Sequence, residues 1–173
     1  MDIFISSDRH QEKFITPVLE AVRSKADRLR DEGIDMNPVY PPWNIGRVPS
    51  SMVERINQIR DAHVVLMNVT PIGSIKRVIN ENEIEDFCVN SGVSIEFGIL
   101  MGIGRLEKCH LFCSSKFGVG NISPIYHGQN IDRFDPDKPD LLKETVELYL
   151  TEHLGKMDEK YERYASNSSS ARA

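Results

Sequence analysis

The feature that most constrains the fold of this 173-residue chain is an unbroken apolar run, Val64-Val65-Leu66-Met67. A strand that is apolar at every successive position is buried on both faces, which is typical of parallel sheets covered by helices. Segments with apolar residues at helical spacing separate this run from other strand-like segments. These further segments are residues 3–6, 36–40, 109–113 and 130–134. The alternation predicts an α/β fold with a doubly wound, mainly parallel sheet, a flavodoxin-like or Rossmann-like three-layer sandwich.

Two helices are predicted in the first third of the chain. The first begins at Thr16, with Pro17 at its first helical position, and it ends at Gly33. Its apolar stripe consists of residues 15, 19, 22, 26 and 29. The second helix opens with a capping box, in which Ser51 and Glu54 each satisfy a backbone amide of the first turn.

The rest of the chain predicts two more helices and one long polar connection. The helices cover residues 92–104 and 140–154, and the second continues toward residue 164. Residues 71–91 form the polar connection, and we expect its acidic segment, residues 81–86, to be a solvated loop.

Length and charge narrow the functional classes. A chain of 173 residues accommodates one domain with a sizeable core. We expect a single α/β domain over residues 1–155, followed at residues 156–173 by a helical extension and a serine-rich disordered tail. The net charge of −5 argues against nucleic-acid partners and against adhesion to anionic membranes. No apolar run approaches the roughly 20 residues of a membrane span.

The cysteines and the first residues of the chain point to a cytoplasmic protein. Three cysteines cannot form a closed disulfide framework, so reduced thiols are expected. The first residues lack the pattern of a signal peptide. The histidines and cysteines show no zinc-ligand spacing, and we therefore expect no metal site.

Ligands of open parallel sheets bind beyond the carboxyl ends of the strands, and this rule selects the position of a site. The segments that follow the predicted strands carry hydroxyl, amide and small polar side chains. Such groups suit sugar hydroxyls and phosphate oxygens. These segments begin at Ser6, residue 41, Asn68 and Ser114.

Glu96 stands out in the predicted helix over residues 92–104 because it is the only ionisable residue there. Val93, Phe97, Leu100 and Met101 are expected to share its side of the helix, so its carboxylate should be partly removed from water. A desolvated carboxylate in such a place is a candidate functional group. The alternative is a glutamate that favours the helix start through the helix dipole and points to water.

Two glycines in the same helix, Gly98 and Gly102, weaken it by about 1 kcal/mol each relative to alanine. We expect them to permit a close contact between the helix and the sheet. A close approach of the helix backbone to a ligand is the other interpretation.

Three segments resemble the superfamily of nucleoside 2-deoxyribosyltransferase-like and TIR-like domains. The first is the opening strand, Ile-Phe-Ile-Ser-Ser at residues 3–7. The second is the isoleucine-containing helix and apolar strand of residues 56–70, which ends in Asn-Val-Thr. The third, Ser-Gly-Val-Ser-Ile-Glu-Phe-Gly at residues 91–98, is similar to the helix that carries the catalytic glutamate of the group. The likeness covers about two-thirds of the chain.

This resemblance implies cleavage of an N-glycosidic bond, with Glu96 as the catalytic carboxylate beneath an oxocarbenium-like transition state. Asn68 stands where the transferases of the group usually have an aspartate. A single carboxylate suits NAD, because nicotinamide leaves from a ring that already carries positive charge. We therefore expect hydrolysis of a nucleotide or NAD rather than group transfer, with no cofactor other than NAD as a possible substrate.

Several residues are candidates for holding the substrate. Arg47 is expected to pair with a phosphate. Trp43 is expected either to stack on a base or nicotinamide, or simply to pack. The candidates for binding ribose or phosphate are Ser6, Ser7, Asn68, Ser91 and Ser94.

A second function from a different class fits the same sequence. A non-catalytic module of this fold would sense a nucleotide and pass on a conformational change. In the TIR-like case the resemblance implies a place in bacterial defence signalling. The resemblance also implies a homo-oligomer. A third alternative, a phosphoacceptor response module, lacks an acidic pocket at the predicted strand ends.

Overall fold

The computed structural model describes residues 1–31, 33–39, 52–79, 81–118, 124–126 and 128–170. The strands are β1 (Asp2–Ser6), β2 (Asn37–Val39), β3 (Val64–Asn68), β4 (Gly73–Ile79), β5 (Asn82–Cys88), β6 (Cys109–Ser114) and β7 (Ile131–Phe134). The helices are α1 (Glu12–Arg30), α2 (Met52–Asp61), α3 (Ser91–Gly102) and α4 (Pro139–Ser170).

Five strands form one parallel sheet in the order β2-β1-β3-β6-β7. This is the flavodoxin-like order of a doubly wound fold, and the predicted fold class is confirmed. One apolar cluster joins the sheet to α1 and α4, and a second joins its other face to α2 and α3. The sheet therefore lies between two helical layers.

β3 explains why the sheet must be covered on both faces. Its four apolar residues have no exposed surface. Val64 and Leu66 pack in the layer of α1 and α4, whereas Val65 and Met67 pack in the layer of α2 and α3. The alternation of a strand thus divides one continuous apolar run between two cores.

α1 begins earlier than predicted. It starts at Glu12, and Pro17 lies inside it, although Thr16 and Pro17 form a standard helix-start signal. The earlier start buries Phe14 and Ile15 against the sheet, and this tertiary packing outweighs the local signal.

The end of α1 agrees with the prediction. Gly33 has a φ of 76°, a left-handed conformation that glycine adopts without steric cost. The amides of Gly33 and Ile34 donate to the carbonyls of Arg30 and Leu29, the pair of bonds that defines a Schellman motif.

The polar connection of residues 71–91 is not a loop. β4 and β5 form an antiparallel hairpin with a separate two-stranded sheet, in which Ile79 pairs with Asn82 and Gly73 with Cys88. The acidic segment 81–86 is therefore a turn and most of a strand, so the expected solvated loop is wrong. Both faces of the hairpin mix charged and apolar residues, which removes the alternation that marks a strand in sequence.

Three smaller expectations also have outcomes. Gly98 and Gly102 face open space on the outer side of α3, so the expected close contact with the sheet is wrong. α4 is longer than predicted and includes the serine-rich residues 166–170. Ser51 of the predicted capping box lies outside the described residues.

Among the described residues, no helix combines the length and the apolar character that crossing a bilayer requires.

Lys108 fixes the C-terminal end of α2 at the edge of the sheet opposite the strand carboxyl ends. Its buried ammonium donates to the carbonyls of Ile59, Arg60 and Ala62 at 3.0, 2.8 and 2.6 Å. Carbonyls at the end of a helix have no partner within the helix, and a cation there also favours the helix dipole. Lys108 therefore acts as a tertiary cap of α2.

We expect Lys108→Met to lower the free energy of unfolding by about 1–3 kcal/mol, since three carbonyls lose a charged donor. Urea denaturation followed by circular dichroism measures the change. Lys156→Met is the matched control, because Lys156 lines the same surface cleft but is exposed. Equal stabilities of the two variants would contradict the capping role.

Candidate functional site

Glu96 lies in the second turn of α3 and points into the protein, where only 5% of its surface is exposed. The hydroxyl of Ser6, the last residue of β1, donates to its Oε2. The guanidinium of Arg55, on α2, lies 2.9 Å from its Oε1. The predicted desolvation of Glu96 is therefore present, and the alternative of a glutamate that points to water is excluded.

The ionisation of Glu96 reflects opposing influences. Burial raises the pKa of its carboxyl, whereas the Ser6 hydrogen bond and the charge of Arg55 lower it. Burial is the largest influence, so the pKa lies above the ordinary glutamate value of 4.5. An ionised Glu96 thus depends on its two partners.

Arg55 is the site residue that sequence reasoning missed. It lies on α2 four residues before the buried Ile59, so the two side chains share a face of the helix. Its Cζ lies 6.0 Å from the centre of the Phe4 ring, on the β1 strand. A basic residue within the apolar face of α2 was the available signal.

The N-terminus of α3 is fastened to the end of β1 by two side chains. Asn90 caps the helix, accepting a hydrogen bond from the amide of Gly92 at 2.8 Å, and its own amide donates to Asp8 at 2.6 Å. The other oxygen of Asp8 accepts from the amide of His10. These hydrogen bonds hold the N-terminus of α3 against the end of β1, and they thereby position Glu96 next to Ser6.

Asn68, at the end of β3, is 1% exposed and organises the neighbouring strand ends. Its amide donates to Ser7 at 3.2 Å and to Gln11, and its oxygen accepts from the backbone and hydroxyl of Thr70 at 3.0 and 2.6 Å. The hydroxyl of Thr70 in turn accepts from the amide of Ser114. These bonds give Asn68 a structural task, and substrate binding by Asn68 stays a prediction.

Two other predicted binding residues, Ser91 and Ser94, lie on α3. Ser94 is half-buried on α3, 3.3 Å from the hydroxyl of Tyr126, and Ser91 is exposed at the start of the helix. Trp43 and Arg47 lie outside the described residues. Of the predicted set, the structure joins Ser6 to Glu96 and Ser7 to Asn68 directly.

Tyr126, in the connection between β6 and β7, packs against the residues of α3 on either side of Glu96. It is fully buried, and its ring lies 4.7 Å from that of Phe97. Phe97 follows Glu96 directly, so this ring contact holds the α3 turn that carries the carboxylate.

The donor set suits organic anions rather than metals. Within the described ranges, no three His, Cys, Asp or Glu side chains are grouped in a way that could hold a metal ion. The site offers hydroxyls, amides, one guanidinium and the two carboxylates of Asp8 and Glu96, and its hydroxyls, amides and guanidinium match the groups of a sugar phosphate.

Comparison with known proteins adds no assignment. No family model matches the chain, and no curated protein matches it either.

We expect Arg55→Met to destabilise the protein by roughly 3 kcal/mol at neutral pH, because it leaves the Glu96 carboxylate buried without its cation. The pKa of Glu96 should rise further. A raised folded-state pKa reduces stability as the pH increases above 4.5, so the loss should be smaller in acid, where Glu96 is protonated in both states. Urea denaturation across a pH series measures this.

The double variant Arg55→Met/Glu96→Gln is the control. It removes both charges and keeps the side-chain volumes similar, so most of the lost stability should return. A destabilisation by Arg55→Met that does not vary with pH would contradict the ion-pair account.

Proposed function

We propose that the protein hydrolyses the N-glycosidic bond of a nucleotide or NAD, with Glu96 as the catalytic carboxylate. The observation that carries this proposal is the buried Glu96 at the carboxyl edge of the parallel sheet, held by Ser6 and Arg55. The likeness of residues 91–98 to a catalytic helix is consistent with it.

The chemistry requires a negative charge beneath the anomeric carbon. As the bond from C1′ to the base nitrogen breaks, the base keeps the electron pair and positive charge develops on the ribose. A carboxylate in a site of low dielectric stabilises that charge far more than one in water. Water then bonds to C1′ and releases its proton to solvent.

Arg55 has a role in this scheme because it occupies one oxygen of Glu96. A substrate phosphate offers the guanidinium a second anionic partner, with the planar geometry that arginine favours. Arg55 would shift part of its bonding to the phosphate and free Oε1 toward the ribose. It thereby acts as a positioning residue.

The acids available near the site favour a leaving group that needs no protonation. Asp8 already accepts from Asn90 and His10, Asp86 is paired with Arg77, and Glu83 and Glu85 are exposed on the hairpin. Nicotinamide leaves NAD as a neutral base without an added proton. NAD is therefore the preferred candidate among the substrates.

A nucleotide sensor without turnover is the alternative function. The observation in its favour is that both oxygens of Glu96 already have partners, as in an ion pair with a structural role. In either case we propose a cytoplasmic protein that works as a homo-oligomer and takes a small anionic ligand.

The test is incubation of the purified protein with NAD and a panel of nucleoside and deoxynucleoside monophosphates, with chromatography of the released base. We expect the wild type to release a base and Glu96→Gln to be slower by roughly 10²–10³-fold, with substrate binding retained. Glu144→Gln, an exposed glutamate on α4, is the matched control and should keep full activity.

Each other outcome has a defined meaning. Base release that survives Glu96→Gln would remove Glu96 from the mechanism. Binding of an intact nucleotide without release would favour the sensor. Base exchange as fast as hydrolysis would replace the hydrolase by a transferase.

A further inference from the structure

Three rings join α4 to the sheet at the edge opposite the candidate site. The ring of His110, the second residue of β6, stacks on the ring of Tyr149 with their centres 3.9 Å apart. The ring of His153, one turn further along α4, meets the His110 ring edge-on at 5.1 Å. The Nε2 atoms of the two histidines lie 3.0 Å apart, and all three side chains are half-buried.

The spacing of these residues explains why they meet. His110 shares a face of β6 with Phe112, which packs in the layer of α1 and α4. Tyr149 and His153 are four residues apart, so they share a face of α4. The hydroxyl of Tyr149 also donates to Asp132 of β7 at 2.5 Å. The rings therefore lie over the first residues of β6 and β7.

The two parts of α4 are attached to the sheet by different contacts. Leu142, Val146 and Leu150 are buried in the apolar cluster of this layer. Past Leu150, Leu154 is only partly buried against that cluster, and the ammonium of Lys25 donates to the exposed hydroxyl of Thr151 at 2.9 Å. Polar contacts, including that of His153, thus hold the later part of α4.

The hydrogen bond between the two histidines limits the protons that the pair can carry. One Nε2 must donate and the other must accept, so at least one ring has to be neutral. A single added proton leaves the bond in place, because a cationic ring donates to a neutral one. A second proton puts a hydrogen on both Nε2 atoms and sets two cations 3.0 Å apart at a half-buried position.

Burial opposes protonation of both rings. Burial, followed by the charge of His153, lowers the pKa of His110 from 6.5 to about 4. Burial and the charge of Lys156 lower the pKa of His153. A histidine whose folded-state pKa lies below 6.5 contributes its full stabilisation above that pH and loses it as the pH falls. The contact should therefore be intact at neutral pH and should weaken in acid.

The charges around the pair nearly cancel. Asp132, on β7, favours protonation of the histidine of β6. Glu107, in the turn before β6, and Glu152, on α4, favour protonation of the histidine of α4, whereas Lys156 opposes protonation of both. A cleft of about 460 Å³ beside the pair is also lined by Arg60, Asp61, His63, Arg105 and Lys108. Among these described neighbours four are basic and four are acidic, so burial and the repulsion between the rings decide.

We propose that the His110–His153 pair is an acid-sensitive clasp, which docks the part of α4 past Leu150 on the sheet and releases it when both rings are protonated. In the open state both rings reach water, so opening takes up one or two protons. The ratio of open to closed molecules should then rise by roughly tenfold to a hundredfold for each pH unit below the ordinary histidine pKa. The buried Leu142 and Val146 keep the first part of α4 in place. This proposal does not rest on the glycosidase activity.

Hydrogen–deuterium exchange of the full chain, read by mass spectrometry at about pH 7 and about pH 5, tests the clasp. Each rate is divided by the intrinsic exchange rate at the same pH, which leaves the protection of each amide. The protection of residues 151–156 should fall by roughly tenfold or more in acid. The amides of β3, at the centre of the sheet, are the internal control and should stay protected.

The double variant His110→Gln/His153→Gln separates the clasp from other effects of acid. Two carboxamides can donate and accept between the same positions, and they do not titrate in this range. The variant should therefore show the same protection of residues 151–156 at both pH values. His10→Gln replaces an exposed histidine far from α4, between β1 and α1, and should keep the pH dependence of the wild type.

If the double variant is poorly protected at both pH values, a nuclear magnetic resonance titration of the wild type decides. The ring signals of His110 and His153 should shift only well below pH 6.5, together with the amide signals of residues 151–156. Ring signals that titrate while those amides stay unchanged would overturn the proposal. So would protection of the wild type that does not vary with pH, or an acid loss that the double variant retains.

Discussion

The burial of the Glu96 carboxylate between β1, α2 and α3 is the constraint on which the carboxyl edge of this sheet depends. A charge removed from water destabilises a fold by several kcal/mol unless it gains a cation and hydrogen bonds. Arg55 supplies the cation from α2, and Ser6 supplies the hydrogen bond from β1. The Asn90 cap and its hydrogen bond to Asp8 then hold α3 in the position in which Glu96 reaches Arg55 and Ser6.

A buried ion pair is a weak explanation of stability, because well-packed apolar residues of similar volume serve a core equally well. The position of this pair is more informative. It lies where doubly wound sheets bind ligands, next to strand ends organised by Asn68. The stability of the fold does not require a carboxylate at this position. The stabilisation of a positively charged ribose does require one. This difference supports the proposed chemistry over a purely structural role.

Sequence reasoning succeeded where one physical effect dominates. The apolar run of residues 64–67 can be placed only inside a covered sheet, and Glu96 stands alone among apolar neighbours on its helix. It failed where contacts between residues far apart in the chain determine the structure. The start of α1 depends on the burial of Phe14, the hairpin of residues 71–91 has no apolar alternation, and Arg55 meets its partner across 41 positions of chain (96 − 55). A long basic side chain on an apolar helix face also has the option of reaching water, so its burial cannot be deduced from spacing.

The most direct test of the account is a crystal structure of the Glu96→Gln variant with NAD. This substitution keeps the side-chain shape and removes the charge that drives turnover, so an intact substrate should remain bound. The account predicts the C1′ of the nicotinamide ribose about 3–3.5 Å from the residue 96 side chain, with a phosphate near Arg55. A ribose bound away from residue 96, or no binding of NAD, would contradict it.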